Sequence, residues 1–417
     1  MEAADVVARL RLLQSEEHEN LERSAATFGD YADYVEEEVL ETESPVMDSF
    51  VLQGGNWVLK TLTNFTQAEF GVLWAEVEGA LHAVWSMVRG RRSQTSAKDA
   101  MFKTLVILKH YDTWDKHAVD FGLKPNTLEK MTYKLLEVIE PIPFAKFVKP
   151  VTMTQQRENN KAFRNYPYAL YATDVKFQPA YRQSGHFTEK KTYFSRKHKL
   201  YGYKLECSVA YPGVAVDVSS HEPGSKSDLT MMLDRRTVCM ERLLKTPQEL
   251  GQDDNGEGAV QHPLAWGVLV DKGYQGAEAV LRTIQLKRKP RDGELSHQDM
   301  TRNRLASSDR VLVENYFGRV CMLWKVMYTT YKWGEVRYDM IARACFALTN
   351  FHVSFMPLRN EDNKLYHSVL SRYQSMAEDT RERRKRSQKT YMMRRDRCLP
   401  HRFSPLQCTK TTKRRCR

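Results

Sequence analysis

The sequence predicts an α/β protein, a mixed sheet flanked by helices and preceded by an all-α region. Three observations predict it. Apolar residues between 66 and 140 recur at helical spacing. After Pro141, Pro143 and Pro150 the texture changes to short aromatic and β-branched runs at 168–176, 201–210 and 213–219. From about residue 226 helical and strand-like runs alternate, giving the order β-β-β-α-β-α-β-α.

The first fifty residues carry 14 Asp/Glu against 3 Arg, a local balance of −11. Their helical spacing (Val7, Leu10, Leu12, Leu13) fades after Leu21, so 1–50 is expected to be an acidic, partly disordered arm. A helix is predicted over 66–90. Thr66 and Glu69 have the spacing of a capping box, Phe65 and Phe70 that of the hydrophobic staple around it, and Leu73, Trp74, Val77, Leu81 and Trp85 continue the apolar face. The basic stretch Arg89 to Arg92 breaks the pattern.

Within a helical region of 60–140, residues 97–140 read as three helices. Ala97 to His110 buries Phe102, Leu105, Val106 and Leu108. Thr113 caps a short second helix that Gly122 stops after Phe121. Asn126 and Glu129 cap a third, carrying Leu128, Met131, Leu135 and Val138. A short helix, a glycine turn and a longer helix are the pattern of a helix-turn-helix. On the third helix Lys130, Tyr133 and Lys134 are candidates to face a DNA groove; a plain helical packing domain is the competing expectation.

A proline-punctuated linker leads into a sheet-bearing domain over 155–355. Its first three strands form a meander, and a helix is expected at about 226–245. The run Trp266 to Val270, closed by Asp271, Lys272 and Gly273, reads as a buried strand. A helix over 275–283, a short strand at 284–288, a polar loop at 290–300 and a long helical region over 301–352 follow. Residues 372–417 are polar, basic and poor in large aliphatics, and are expected to form a disordered basic tail.

The chain of 417 residues has a net charge of +12. Residues 381–417 hold 15 Lys/Arg against 2 acids, a balance of +13, which leaves +10 on the residues between arm and tail. A basic body fits a polyanionic partner, because Lys and Arg contacts to phosphate dominate nucleic-acid affinity. No apolar run approaches the roughly 18 residues of a membrane span, and the opening residues do not read as a signal peptide. Seven cysteines without a CxxC pair suit a reducing, intracellular compartment. Cys398, His401, Cys408 and Cys416 match no zinc spacing. The clusters at 381–386 and 413–415 suit nuclear import, so the nucleus is the expected location.

Three acids stand out. Asp174 sits inside a strand-like run, where Asp is depleted. Asp271 ends the most apolar strand. Glu314 lies on a helix beside Val311, Val313, Phe317 and Val320, with Gly318 one turn later, where a glycine costs about 1 kcal/mol and implies a close approach. In a sheet where the first and fourth strands are neighbours, Asp174 and Asp271 lie side by side, and a crossing helix brings Glu314 to the same point. Such carboxylates call for hard divalent cations, and two ions about 3.5–4 Å apart clamp the attacking and leaving oxygens of a phosphodiester displacement. Lys176, Lys197, His198, Lys199, Lys204 and Lys272 are placed to hold phosphates. Tyr328, Tyr331 and Trp333 are read as core rather than as base-stacking residues.

Glu314 to Gly318, preceded by Ser307 to Arg310 and followed by Trp324, resembles the terminal Glu motif of PIF/Harbinger-type DDE transposases. Val270, Asp271, Lys272, Gly273 and Tyr274 resemble the second Asp motif, Pro223 to Asp228 the Gly-Ser…Asp element, and Thr173 with Asp174 the first Asp. The separations are 97 and 43 residues. This resemblance covers roughly 160–352; the first motif departs from the usual Asp-Gly-Thr, reading Asp174, Val175, Lys176. It implies a ribonuclease-H-like fold for the mixed sheet, with the helix-turn-helix in front. It also implies a divalent-metal-dependent DNA endonuclease or transposase that cleaves at DNA ends, with strand transfer by the freed 3′-OH.

The resemblance assigns catalysis to Asp174, Asp271 and Glu314, and metal (Mg or Mn) binding to these with Asp228. Nucleic-acid contacts fall to Lys130, Tyr133, Lys134, Lys176, Lys199 and Lys272. Double-stranded DNA is the expected partner, and family members work with a separate Myb-like DNA-binding protein; the oligomeric state stays open, a homo-oligomer included. The rival function is a catalytically silent, domesticated DNA-binding protein of the same descent.

Overall fold

The computed structural model describes residues 43–86, 95–181, 191–290 and 293–398. Five helices come first: α1 (Pro45–Thr63), α2 (Gln67–Ser86), α3 (Ala97–His110), α4 (Trp114–Phe121) and α5 (Pro125–Ile139). Helix α1 begins inside the stretch expected to be a disordered arm. Buried Asp99 of α3 explains its start, accepting from the Val46 and Met47 amides at 3.2 and 2.9 Å and so satisfying two orphan donors. Residues 1–42, and Arg89 to Arg92, lie outside the described residues. The capping box opening α2 is formed, with Thr66 N donating to Glu69 Oε2 (2.8 Å) and Glu69 N to Thr66 Oγ1 (3.3 Å). Helix α4 is capped by Thr113 as expected. Helix α5 instead starts at Pro125, with Lys124 at the cap and no side-chain cap bond. Proline's fixed φ suits the first helical position, which displaces the expected box at Asn126 and Glu129.

The segment expected to be a helix-turn-helix packs partly inward. Tyr133 is half-buried, its ring 5.7 Å from Trp114 and 6.1 Å from Trp333, under the Arg337 guanidinium at 4.8 Å. Lys134 lies 5.0 Å over the Trp85 ring. Of the three residues expected at a DNA groove only Lys130 is exposed. Aromatic packing explains the other two, since burying a ring outweighs leaving it in water. The proline stretch expected to be a linker is a short helix, α6 (Pro141–Phe147), followed by α7 (Met153–Glu158).

The sheet comprises β1 (Ala169–Pro179), β2 (Phe194–Ser195), β3 (Leu200–Ala210), β4 (Val214–Val218), β5 (Glu222–Pro223), β6 (Gly267–Val270) and β7 (Thr283–Gln285), with α8 (Asp228–Asp234) and α9 (Arg236–Leu243) between β5 and β6. Its order is β2-β3-β1-β6-β7, with β4 and β5 also paired to β3. Strands β1 and β3 are antiparallel, whereas β1–β6 and β6–β7 are parallel. First and fourth expected strands are therefore neighbours. Alternation along β6 assigns the faces: Val268 and Val270 join Met232 and Leu243 beneath α8 and α9, and Leu269 joins Val313, Phe317 and Val320 on the other side. The helix expected over 275–283 is only a 3-10 turn at Ala277–Ala279.

The expected long helix over 301–352 is two, α10 (His297–Leu323) and α11 (Tyr338–Phe355). The chain between them crosses the end of β1, where Tyr331 N donates to Pro179 O at 2.7 Å. Tyr331 is buried there, so the core reading of that aromatic group describes its packing. A final helix, α12 (Asp362–Cys398), occupies most of the stretch expected to be a disordered tail. Tyr366, Val369, Tyr373 and Ala377 recur at helical spacing and are buried, so packing rather than composition decides the conformation of that segment. Residues 399–417, with His401, Cys408 and Cys416, lie outside the described residues.

Candidate active site

Asp174 lies on β1 opposite Cys207 of β3, and Asp271 immediately follows β6, which runs parallel to β1. Helix α10 crosses this edge. It is pinned by Asp309, whose Oδ2 accepts from the Asn165 and Tyr166 amides at 2.9 Å each, while Oδ1 accepts from Asn165 Nδ2 at 2.8 Å. That anchor fixes the next turn, bearing Arg310 and Glu314, over the strand ends.

The three acids meet at the Arg310 guanidinium. Arg310 Nη1 is 3.2 Å from Asp174 Oδ2, and Nη2 is 2.7 Å from Glu314 Oε1 and 3.9 Å from Asp271 Oδ1. Arg310 Nε is buried without a hydrogen-bond partner. Asp174 Oδ1 also accepts from the Val175 amide at 2.8 Å. Burial pushes the Asp174 carboxyl up to about 6; Arg310 opposes the rise and the Asp271 charge adds to it. Asp271 is the most open of the three acids, its side chain 36% exposed against 20% and 16% for Asp174 and Glu314. The carboxylates are not all within 4.8 Å of one another; among the described residues that spacing occurs only for the surface group Glu43, Glu78 and His82.

Asp228 is the first residue of α8, after Ser227, whose hydroxyl accepts from Thr230 N at 3.1 Å. Its Oδ1 is 2.9 Å from Lys204 Nζ. Across from it runs the turn after Asp271: a Cβ on Gly273 would stand 2.8 Å from Asp228 Oδ2, so the two segments approach closely there. Asp228 is thus beside the cluster but forms no ion pair with Arg310 among the described residues.

Lys199 and Lys272 are exposed, as is Lys197. Lys176 is not available to DNA. It is 1% exposed, with Nζ donating to Met327 O and to Gln178 Oε1 (3.4 Å), and burial holds its pKa below the usual range. Position 176 shares a face of β1 with Asp174, and the segment carrying Met327 covers it.

Sequence reasoning had not given Arg310 a role of its own, although its position four residues before Glu314 puts both on one helical face. It also missed the contribution of α12. His367 Nε2 lies 3.6 Å from Glu314 Oε2, and the Tyr366 ring packs on Phe317 at 5.4 Å. Tyr366 is buried, and its hydroxyl pKa is raised well above normal by burial, then by the charges of Asp174 and Glu314 among others.

Residues 172–350 match the family model described as DDE superfamily endonuclease. A DDE endonuclease domain is ribonuclease-H-like, in keeping with the mixed sheet found here. No curated protein and no solved structure matches the chain. Among the described residues no helix is long and apolar enough to cross a membrane.

Proposed function

We propose that this protein is a divalent-metal-dependent DNA endonuclease of the PIF/Harbinger transposase type, with Asp174, Asp271 and Glu314 as its catalytic acids. One observation carries the reading: carboxylates from the middle of β1, from the end of the adjacent parallel β6 and from a crossing helix converge on a single guanidinium, inside the segment that matches the endonuclease family.

The donor set fits a hard cation. All donors are carboxylate oxygens, three negative charges face one positive charge, and Asp174 is driven towards protonation by burial, so the cluster has room for further positive charge. Asp174, Asp271 and Glu314 would hold the metal, with Asp228 beside them. When bound, Mg or Mn would supply Lewis acidity at the scissile phosphate and lower the pKa of the attacking water or hydroxyl. Asp174 and Glu314 are held by β1 and α10 and fix one wall, while Asp271 faces the open side. Arg310 is within reach of a phosphate entering between them. Lys272 and Lys197, both exposed, neutralise its neighbours. Phe317 and Tyr366 close the inner wall against water. Strand transfer would use the same acids with a DNA 3′-OH as the nucleophile, and the basic clusters would direct the protein to the nucleus.

The decisive assay is nicking of supercoiled DNA by the purified full chain. Conversion to open circle with Mg²⁺ or Mn²⁺ and none with EDTA is expected. Should neither metal support nicking, the Arg310-neutralised cluster is better read as the remnant site of a silent DNA-binding protein.

A further inference from the structure

The turn at 196–199 and the inner face of α12 enclose a cavity of about 690 Å³. Five cations line it, Lys197, Lys199, Arg381, Arg384 and Lys385, against one acid, Glu378. Both walls are built. The turn is closed by Lys199 N donating to Ser195 O at 2.8 Å and places Lys199 at φ 57°, a conformation that costs a non-glycine residue energy and recurs at functional sites. His198 is stacked on Phe177 at 4.4 Å, which fixes the turn against the sheet. Along α12 the lining residues recur at helical spacing from Gln374 to Gln388, a run of roughly 21 Å at 1.5 Å per residue. Helix α12 links the groove to the acid cluster: His367, seven residues before Gln374, lies 3.6 Å from Glu314 Oε2.

We propose that this groove holds the phosphate backbone of the DNA duplex flanking the scissile bond. The inference rests on the endonuclease reading for the identity of the polyanion. A run of about 21 Å passes about six phosphates of one strand at 3.4 Å each; the α12 cations cluster within about 6 Å of it, with Lys197 and Lys199 on the other wall. An acidic polypeptide would satisfy the charge, but the groove runs along the helix that also reaches Glu314 of the proposed cleavage site, which favours the substrate itself.

The test compares two triple variants of the full chain that lose the same charge from opposite faces of α12. Arg381→Gln/Arg384→Gln/Lys385→Gln removes groove cations; Arg383→Gln/Arg386→Gln/Arg394→Gln removes cations that do not line it. Anisotropy titrations on a generic labelled duplex give affinity against salt, with thermal melts to show that both variants fold. For the groove variant the slope of log K against log salt should shrink by about 3, with roughly a hundredfold loss of affinity near 0.15 M salt, since each lost contact removes about 0.9 from the slope. The outer-face variant should change the slope by less than about 1. Equal losses in both variants, or no change in the first, overturn the groove. Metal-dependent nicking is scored separately on the wild type. A groove effect without nicking would leave the groove standing and sink the endonuclease reading, while nicking with no groove effect would do the reverse.

Discussion

At the scale of single residues, the site is a problem of charge. Arg310 is 13% exposed and is the shared counter-ion of three carboxylates. Removing one partner of a buried ion group leaves the others uncompensated, so Arg310→Ala should lower stability by about 3 kcal/mol without metal. Added Mn²⁺ should raise its melting midpoint more than it raises the wild type's; an equal or smaller rise would show that cation and guanidinium do not share the acids. On the opposite face of the sheet, Glu206 pairs with Arg235 at 2.8 Å, yet burial raises its pKa from an ordinary 4.5 to about 7. Between those values the folded state holds a proton that the unfolded state has lost, so this group makes stability fall as pH rises from 4.5 to 7. Glu206→Gln should flatten the profile in that window, read by denaturant midpoints from pH 4.5 to 7.5. Asp174, Asp271 and Glu314 were legible as acids in the sequence because each sits beside a strong apolar signal. That Arg310 joins them was not, because an Arg four residues from a Glu is an ordinary helical pair until the tertiary fold adds two more carboxylates. The burial of Lys176 and the partial burial of Tyr133 and Lys134 were not legible for a related reason: side-chain type shows capacity for a phosphate or base, whereas the burying face is set by distant partners such as Trp333 and Met327.

At the scale of elements, residues of α10 just after Glu314 dock α12. A Cβ on Gly318 would stand 1.9 Å from the Asp362 carbonyl oxygen. Asn315 Oδ1 accepts from Asn363 N at 2.9 Å, and Arg319 Nη2 binds Asp362 Oδ2 at 2.9 Å. The glycine in the helix signalled a close approach, and the approaching group is the backbone opening the last helix rather than the sheet or a ligand. Gly318→Ala must push that backbone away, and should cost about 3 kcal/mol in urea unfolding, at the upper end for overpacking. A loss below roughly 0.5 kcal/mol would mean that the two helices separate freely. Strands and capped helices were readable because their signals are local: aromatic and β-branched runs in β1 and β3, the short apolar run of β6, Thr66 with Glu69, Thr113 with Gly122. Helix α12 and the α10–α11 break were not. Polar composition hides the four buried residues on one face of α12, and the break is imposed by Tyr331 hydrogen-bonding to the end of β1.

At the scale of the whole molecule, α12 divides into a packed half and an exposed basic half. A chain ended at residue 380 retains Tyr366, Val369, Tyr373 and Ala377, and should melt within about 3 °C of the full chain; one ended at 358 uncovers Phe317 and should lose cooperative unfolding. Equal melting of both truncations would show that α12 is not part of the folded core. The central claim, that Asp174, Asp271 and Glu314 form a cation-dependent phosphodiester-cleaving site, is tested most directly at Asp271, the most open acid. The measurement is Mn²⁺-dependent nicking of supercoiled DNA by wild type and Asp271→Asn, with filter binding and thermal melts on the same preparations. A neutral amide leaves the backbone turn, closed by Tyr274 N donating to Asp271 O at 3.1 Å, but lacks the charge that holds a divalent ion. Wild type should nick, and Asp271→Asn should lose nicking at least a hundredfold while binding DNA as tightly and melting at the same temperature. An Asn variant that cuts at the wild-type rate would contradict the account.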